Sequence, residues 1–118
     1  MPQRKPTRGV DFATVCEHGL KLPGVEVGTS YGTPALKVRG KLMVRLKEDG
    51  ETFVLRVNPA AREPLMATDP ETFYLTDHYL DWPYVLVRMA ALPVARLPEL
   101  LDHAWLEAAP AALVRARS

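Results

Sequence analysis

The residues of this sequence best suited to binding chemistry are basic, and they are concentrated in one stretch. Lys37–Lys47 holds five basic residues and no acidic residue. Residues two apart in a strand share a face, so such a run can align positive charges along the phosphates of a nucleic acid. Arg56 joins them from the following strand. The candidate nucleic-acid-binding residues are therefore Lys37, Arg39, Lys41, Arg45, Lys47 and Arg56.

The same basic stretch has a simpler interpretation. An antiparallel sheet covered by helices on one face carries polar residues on the other, and Lys and Arg are common there. The net charge is only +1, but the charge is segregated, because residues 63–87 hold five acidic residues and no Lys or Arg. Segregated charge is suggestive of polyanion binding without requiring it. A protein partner, or a second copy of the chain, could also dock on the exposed sheet face.

A second stretch that could do chemistry is Tyr74–Tyr84, which holds three tyrosines, one histidine, one tryptophan and two aspartates. One hypothesis is a recognition loop or an acid–base site in which Asp77 or Asp81 orients His78. Adjacency in sequence does not create a catalytic pair, and no Ser or Cys nucleophile motif accompanies them. The sequence favours a long loop whose aromatic residues pack on the core and whose histidine is hydrogen-bonded in place.

The remaining residues suited to chemistry predict no site. His18, His78 and His103 are far apart, and Cys16 has no partner at metal-ligand spacing. The glycines match neither a dinucleotide-binding nor a P-loop pattern. No exposed aromatic is predicted on the basic face, which favours duplex or phosphate contact over base stacking. We therefore predict no catalytic residue, metal, cofactor or small-molecule substrate, and hence a non-enzymatic protein.

The elements that must position these residues follow from periodicity, capping residues and turn signals. Consecutive strands joined by tight turns indicate an antiparallel sheet. The predicted elements are a helix over 11–22, strands over 25–31, 35–38, 42–47 and 52–57, helical segments over 59–67 and 70–73, a strand over 84–91, a helix over 97–108 and terminal helical turns over 111–117.

The pairing of the basic strands can be predicted from their turns. Asp49-Gly50 is a strong hairpin signal and places Leu46 opposite Phe53, with Val44 and Leu42 following on the same apolar face. Before it, a two-residue Arg39-Gly40 loop would mix apolar and polar faces. A three-residue loop, Arg39–Lys41, keeps them apart by pairing Val38 with Leu42 and Leu36 with Val44.

Together these elements predict an α+β fold, a two-layer sandwich in which helices pack on one face of an antiparallel sheet. We expect one domain over 10–118 after a flexible leader over 1–9. The lone cysteine is typical of a protein in a reducing cytoplasm. No apolar segment is long enough to predict a signal peptide or a membrane span.

Three runs of the sequence resemble one known family over nearly the whole chain. They are GTSYGTPALKVRGKLMVRL, DPETFYLTDHYLDWPYVLVRM and AWLEAAPAAL, and they are similar in order and spacing to the MmcQ/YjbR family. The resemblance implies a frataxin-like (CyaY-like) α+β fold and DNA binding through a double-wing sheet motif. Frataxins bind iron and have a strongly acidic first helix. Because the first helix here carries only Asp11 and Glu17 as acids, iron binding is not expected.

Overall fold

One antiparallel sheet organises the molecule, which was analysed as a computed structural model that describes residues 9–117. Within that range the sheet has six strands in the order β1-β2-β3-β4-β6-β5. The strands are β1 (Val25–Ser30), β2 (Thr33–Val38), β3 (Lys41–Leu46), β4 (Thr52–Arg56), β5 (Phe73–Tyr74) and β6 (Tyr84–Arg88). The helices are α1 (Phe12–Gly19), α2 (Pro59–Thr68), α3 (Leu97–Ala108) and α4 (Ala111–Arg117), with short 3-10 turns at Asp77–Tyr79 and Val94–Arg96.

The predicted leader over 1–9 lies outside the described residues except for Gly9. The Gly9 amide donates to the Leu92 carbonyl oxygen at 2.8 Å, and the next amide donates to the Met89 carbonyl oxygen at 2.9 Å. The chain entering α1 is thereby held against the segment that follows β6.

The helices begin where the capping residues predict. The Asp11 carboxylate accepts from the Thr14 hydroxyl at 2.7 Å and from the Thr14 amide at 2.8 Å, and these two bonds lower the pKa of that carboxyl. The Asn58 side chain accepts from the Ala60 amide at 3.0 Å, and Pro59 occupies the first position of α2. Both predicted caps are confirmed.

The main core lies between the helices and the face of the sheet that we call the inner face. The stripe of α3 predicted from its spacing is buried, with Trp105 and Ala104 fully enclosed. The Trp105 indole donates to the Pro23 carbonyl oxygen at 2.7 Å, which ties α3 to the end of the first helical segment. The sheet residues of this core include Leu36, Val38, Met43, Val44, Phe53, Leu55, Val85 and Val87.

The predicted register of the β3–β4 hairpin is confirmed. Leu46 pairs with Phe53 and Val44 pairs with Leu55. The connection is longer than the predicted two residues, since β3 ends at Leu46 and β4 begins at Thr52. The Asp49 carboxylate accepts from the amides of Glu51 and Thr52 at 2.8 and 3.0 Å, and these bonds fix the connection.

The predicted three-residue loop between β2 and β3 is wrong. Val38 pairs with Lys41, so the connection is the two-residue Arg39-Gly40 turn, with both residues at positive φ. The faces stay apart because the register shifts between Leu36 and Lys37. This β-bulge adds one residue to β3 at Met43, a solution that a count of alternating residues does not contain.

The bulge exchanges the sides of two neighbouring residues. Met43, predicted to face outward, is fully buried in the main core. Leu42, predicted to face the core, pairs with Lys37 and turns to the outer face. The faces of β3 therefore differ from the prediction at its first residues, and they agree with it from Val44 onward.

The helical turn predicted over 70–73 is replaced at its end by a strand. Phe73 and Tyr74 form β5, which pairs with β6 at the edge of the sheet. Phe73 is buried opposite Val87, so its burial and the edge hydrogen bonds outweigh the helix-start signal of Asp69-Pro70.

The α+β two-layer prediction is confirmed. No helix within residues 9–117 is long and apolar enough to cross a membrane.

Candidate ligand-binding site on the outer face of the sheet

The outer face of the sheet is partly covered by its own chain. We call Tyr74–Tyr84 the aromatic segment. It folds back so that Tyr79, only 9% exposed, packs on Val54 and Leu86 in a second, small hydrophobic cluster. Tyr74 and Tyr84 pack around the same cluster. The aromatic residues thus pack on the sheet, but on the side away from the main core.

Arg45 fastens the aromatic segment to β3. Its side chain is buried, with the residue 5% exposed. The guanidinium donates to the Tyr79 hydroxyl at 2.9 Å and to the Glu48 carboxylate at 3.1 Å. Burial by itself lowers the pKa of Arg45, but its bonds to Tyr79 and Glu48 outweigh this and hold the pKa above its ordinary value. Arg45 is therefore a charged, internally bonded residue under the segment.

Two further arginines hold the aromatic segment in place. Arg56 donates to the Leu42 carbonyl oxygen at 2.5 Å and to the Tyr84 hydroxyl at 3.1 Å. Arg62 of α2 reaches the backbone of the segment and donates to four of its carbonyl oxygens. These belong to Tyr79 (3.1 Å), Leu80 (3.1 Å), Trp82 (2.8 Å) and Tyr84 (3.4 Å). Carbonyl groups that a loop would otherwise leave to water are satisfied by one side chain.

Beside the pinned segment the outer face contains a cavity of about 490 Å³. We call it the aromatic pocket. Its volume lies within the range of small-molecule sites, roughly 300–1,000 Å³. The lining combines apolar, aromatic and charged side chains from the β1–β2 turn, β3, the β3–β4 connection, β4 and the aromatic segment. They are Tyr31, Leu42, Arg45, Lys47, Glu48, Val54, Thr76, His78, Tyr79, Trp82 and Tyr84.

Two of the aromatic side chains at the pocket are exposed to solvent. Tyr31 is 86% exposed and Trp82 is 57% exposed. The absence of exposed aromatics predicted for this face is therefore wrong. The prediction considered only Phe53, which does point to the main core. It did not anticipate that the β1–β2 turn, with Tyr31, and the aromatic segment, with Trp82, lie next to the same cavity.

Tyr31 is held in a backbone conformation that costs energy. It occupies the first position of the Tyr31-Gly32 turn at φ +53°, where Asn, Asp or Gly is preferred. A left-handed conformation costs a residue with a Cβ roughly 1–2 kcal/mol. The Arg45 guanidinium lies 5.2 Å from the centroid of the Tyr31 ring, a cation–π distance. The ring is thus presented at the pocket by a strained turn and a buried charge.

The six predicted nucleic-acid-binding residues do not share one surface. Lys37, Arg45, Lys47 and Arg56 belong to the outer face. Lys41 pairs with the core residue Val38 and so lies on the inner side of the sheet, at the end of the hairpin.

Arg39 also points away from the aromatic pocket. Its side chain lies beside Gly24 and Leu113 of α4. The Arg39 Nε is 3.4 Å from the position that a Cβ atom on Gly24 would occupy. Arg39 and Lys41 are both exposed, so the tip of the β2–β3 hairpin is a separate basic surface.

The outer basic surface is also not free of acidic residues. Glu26 of β1 pairs directly with Lys37 across the strands. Glu48 forms an ion pair with Arg45. The pKa of the Glu48 carboxyl is lowered most by a hydrogen bond from its own backbone amide and next by this ion pair. Within residues 9–117 neither Lys37 nor Lys47 forms an ion pair. In the described part of the outer face, the two lysines are the basic residues without an ion pair or a side-chain hydrogen bond, although the charge of Lys47 contributes to the lowered pKa of the Glu48 and Asp49 carboxyls.

The histidines and the cysteine do not gather into a site. His78 is exposed and lines the aromatic pocket, its ring edge-on to that of Tyr79 with centroids 4.9 Å apart. The predicted hydrogen bond of His78 is not found among the described residues. His103 accepts from the Asn58 amide at 3.2 Å. Over residues 9–117 no three His, Cys, Asp or Glu side chains come close enough to hold a metal ion.

A family model for YjbR matches residues 20–107. This chain belongs to the YjbR family. The match includes all six strands, the aromatic segment and most of α3, so it covers the pocket and both basic surfaces. The resemblance found from the sequence is confirmed.

Curated relatives and a solved structure extend this comparison. Uncharacterized proteins of Mycobacterium bovis and Mycobacterium tuberculosis are 37% identical to the chain over 73 residues, which is 62% of this chain and 49% of each relative. The chain thus spans about half the length of the curated relatives it matches. The crystal structure of a Deinococcus radiodurans protein with a DUF419 domain matches with a TM-score of 0.70 and 18% identity, over 88% of this chain and 81% of that one. At this identity the match shows a shared fold.

Proposed function

We propose that this chain is a non-enzymatic DNA-binding protein that contacts phosphates through the outer face of its sheet. The observation that carries the proposal is the grouping of Lys37, Lys47 and Arg56 around the aromatic pocket. Lys47 lines the pocket, Lys37 pairs with its floor residue Leu42, and Arg56 bonds to that residue's carbonyl oxygen. The sequence resemblance to the MmcQ/YjbR family, which implies DNA binding through a sheet motif, supports the same function.

The charge of this surface suits weak, salt-dependent binding. Two unengaged lysines and one partly engaged arginine can neutralise about three phosphates. With about three contacts, the affinity for a duplex should fall roughly 40-fold as monovalent salt rises from about 50 to 200 mM. Arg45 supports the surface by holding the aromatic segment, because its guanidinium already donates to Tyr79 and Glu48.

The experiment is a fluorescence-anisotropy titration of a labelled DNA duplex at low and moderate salt. We expect the double variant Lys37→Gln/Lys47→Gln to bind at least about 10-fold more weakly, because two phosphate contacts are lost. Arg39→Gln/Lys41→Gln is the matched control. It removes the same charge from exposed residues at the hairpin tip and should change the affinity less.

Absence of binding at low salt would refute phosphate contact with duplex DNA, and so would binding that ignores salt. A larger loss in the hairpin-tip variant would assign the contacts to the tip, the wing that the family resemblance implies.

A second candidate function is a protein-interaction module. Glu26 beside Lys37 and the exposed edge strand β1, which carries Val27 at 63% exposure, favour it. In that case Lys37→Glu should change the oligomeric state measured by light scattering. Loss of DNA binding with an unchanged oligomeric state supports the first function.

The non-enzymatic part of the proposal rests on the pocket chemistry. The lining places His78 at the rim without a Ser or Cys nucleophile beside it. In the described part of the chain the one cysteine, Cys16, lies against the main core, and burial raises the pKa of its thiol. The groups present suit recognition of a ligand better than bond breaking.

A further inference from the structure

The aromatic pocket is built differently from a surface that only grips phosphates. Its floor is apolar, formed by Leu42 and Val54, and its walls include the rings of Tyr79 and Tyr84. Small-molecule sites have this composition, an apolar lining with a few fixed polar groups. A backbone phosphate would gain nothing from the apolar floor, so the pocket points to a ligand with a flat, apolar part.

The exposed rings at the pocket supply the stacking surfaces for such a ligand. Tyr31 and Trp82 come from different parts of the chain and stand at one cavity. Asn or Gly would suit the turn at Tyr31 better, since the residue has φ +53°. A strained residue whose ring stays 86% exposed, with the Arg45 guanidinium at cation–π distance from it, is an indication of a functional contact.

The charged groups of the pocket suit an anionic substituent on that ligand. Lys47 lines the pocket without an ion pair among the described residues, and Arg56 lies beside it. Glu48 is the acid that lines the pocket, and its charge is paired with Arg45. A planar ring that carries a phosphate therefore matches both the aromatic and the basic side chains.

A second cavity of the described structure makes a useful contrast. It has about 540 Å³, and its lining includes Asp11, Asp49 and Glu51 against one arginine, Arg88. The cavity is as large as the aromatic pocket, but its charge disfavours an anion. Of these two cavities, only the aromatic pocket combines positive charge with exposed aromatic side chains.

We infer that the aromatic pocket binds an unpaired nucleobase carrying a phosphate, with the base stacked on Tyr31 and Trp82 and the phosphate on Lys47. The inference rests on the proposed function and narrows it. Bases in a duplex are stacked on each other and offer only their edges, so this pocket selects a single strand or a free nucleotide. Stacking on aromatic side chains tolerates any base, so we expect little sequence preference.

The experiment follows the fluorescence of Trp82 during titration with five probes. Trp105 is fully buried and serves as an internal reference. The probes are adenosine monophosphate, adenosine, inorganic phosphate, a short single-stranded oligodeoxyadenylate and its duplex with oligodeoxythymidylate. We expect quenching by the nucleotide and by the single strand, weaker binding of adenosine and of phosphate, and weaker binding of the duplex.

The deciding variant is Tyr31→Asn. It removes the ring but places a residue that the turn prefers, so the unfolding midpoint should stay the same or rise. Its affinity for the single strand should fall about 5-fold or more, the loss expected for one stacking contact. Arg39→Asn is the control for backbone strain, because it also places Asn at the first position of a two-residue turn, the one between β2 and β3, at φ +50°. It removes one charge of the hairpin tip and should lower single-strand affinity less than Tyr31→Asn does.

The outcomes separate this inference from the proposed function. Single-strand affinity unaffected by Tyr31→Asn, or equal affinity for duplex and single strand, overturns the inference while DNA binding through Lys37 and Lys47 can stand. Nucleotide binding that depends on Tyr31, without binding of either DNA, supports the pocket and overturns the proposed function. No response to any probe overturns both.

Discussion

The two faces of the sheet are stabilised by different means. The inner face is apolar and covered by helices, with Trp105 and Phe53 fully buried. The outer face has only a small cluster around Tyr79, and its cover is a segment of 11 residues, 74–84, held by Arg45, Arg56 and Arg62. The inner face is stabilised mainly by burial, which has no direction, while the outer cover depends on hydrogen bonds of defined geometry.

This difference explains where a binding site can form. Between the helices and the inner face, buried side chains such as Trp105 and Phe53 fill the space around them at the density of a protein interior. A segment fixed by a few long side chains leaves a gap beside it, and here the gap is the aromatic pocket. The arginines that could have contacted phosphates are partly used to build that gap.

The largest expected effect concerns the bulge that assigns residues to the faces. Met43→Ala should lower the free energy of unfolding by about 2–5 kcal/mol, because it leaves a cavity in the main core. Leu42→Ala, on the half-exposed outer face, should cost about 1 kcal/mol or less. Urea unfolding followed by circular dichroism measures both. The reverse order would mean that the bulge is absent and that the register predicted from alternation is right.

A smaller effect is expected from the bonds that hold the aromatic segment. Tyr79→Phe removes the hydroxyl that accepts from Arg45, which leaves a buried charged donor unsatisfied. We expect a loss of about 1.5–3 kcal/mol in urea unfolding. Tyr84→Phe is the control, since its hydroxyl accepts from the half-buried Arg56 and should cost less. Equal costs for the two variants would show that burial of Arg45 does not strengthen its bond.

The smallest effect is a pH dependence of the stability that Asp49 contributes in the β3–β4 connection, which joins two strands that form both faces. Slight burial raises the pKa of the Asp49 carboxyl. Hydrogen bonds from the Glu51 and Thr52 amides lower this pKa by more than burial raises it, so the folded-state pKa lies below its ordinary value. Its contribution is therefore present above the unfolded-state pKa and is lost as pH falls through the folded-state value.

Asp49→Asn tests this dependence. The variant should be a few tenths of a kcal/mol less stable at neutral pH, since the group is mostly exposed. The difference should shrink as pH falls through the folded-state pKa, because the aspartate then becomes protonated. Urea unfolding at neutral pH and at a series of acidic pH values measures it, and a difference that does not change with pH would contradict the assignment.

The sequence alone was sufficient for most of the inner face. Alternation and turn residues predicted β3 opposite β4 correctly, and the apolar stripe predicted the bounds of α3. Both patterns report on burial against one large core, which repeats along the chain at the period of the element. The N-caps at Asp11 and Asn58 are equally local, because each bond spans two or three residues.

The outer face could not be read in the same way. Its cover joins Arg45, Arg62 and Tyr79, which are distant in sequence and follow no period. The same basic residues fit either a solvated face or a phosphate surface. Only their partners in space distinguish an arginine that holds the aromatic segment from one that is available to contact a phosphate. A partial clue was present in Tyr31-Gly32, where a tyrosine stands at a turn position that favours Asn or Gly.

The sequence by itself determined the fold class, the family and most of the inner core, because these depend on patterns of burial and on local turn and capping chemistry. Only the tertiary structure decided the bulge at Met43, the use of Arg45 and Arg56 to hold the aromatic segment, and the meeting of Tyr31 with Trp82 at one pocket. Those features depend on specific contacts between residues far apart in the chain, and specific pairing leaves no periodic trace in the sequence.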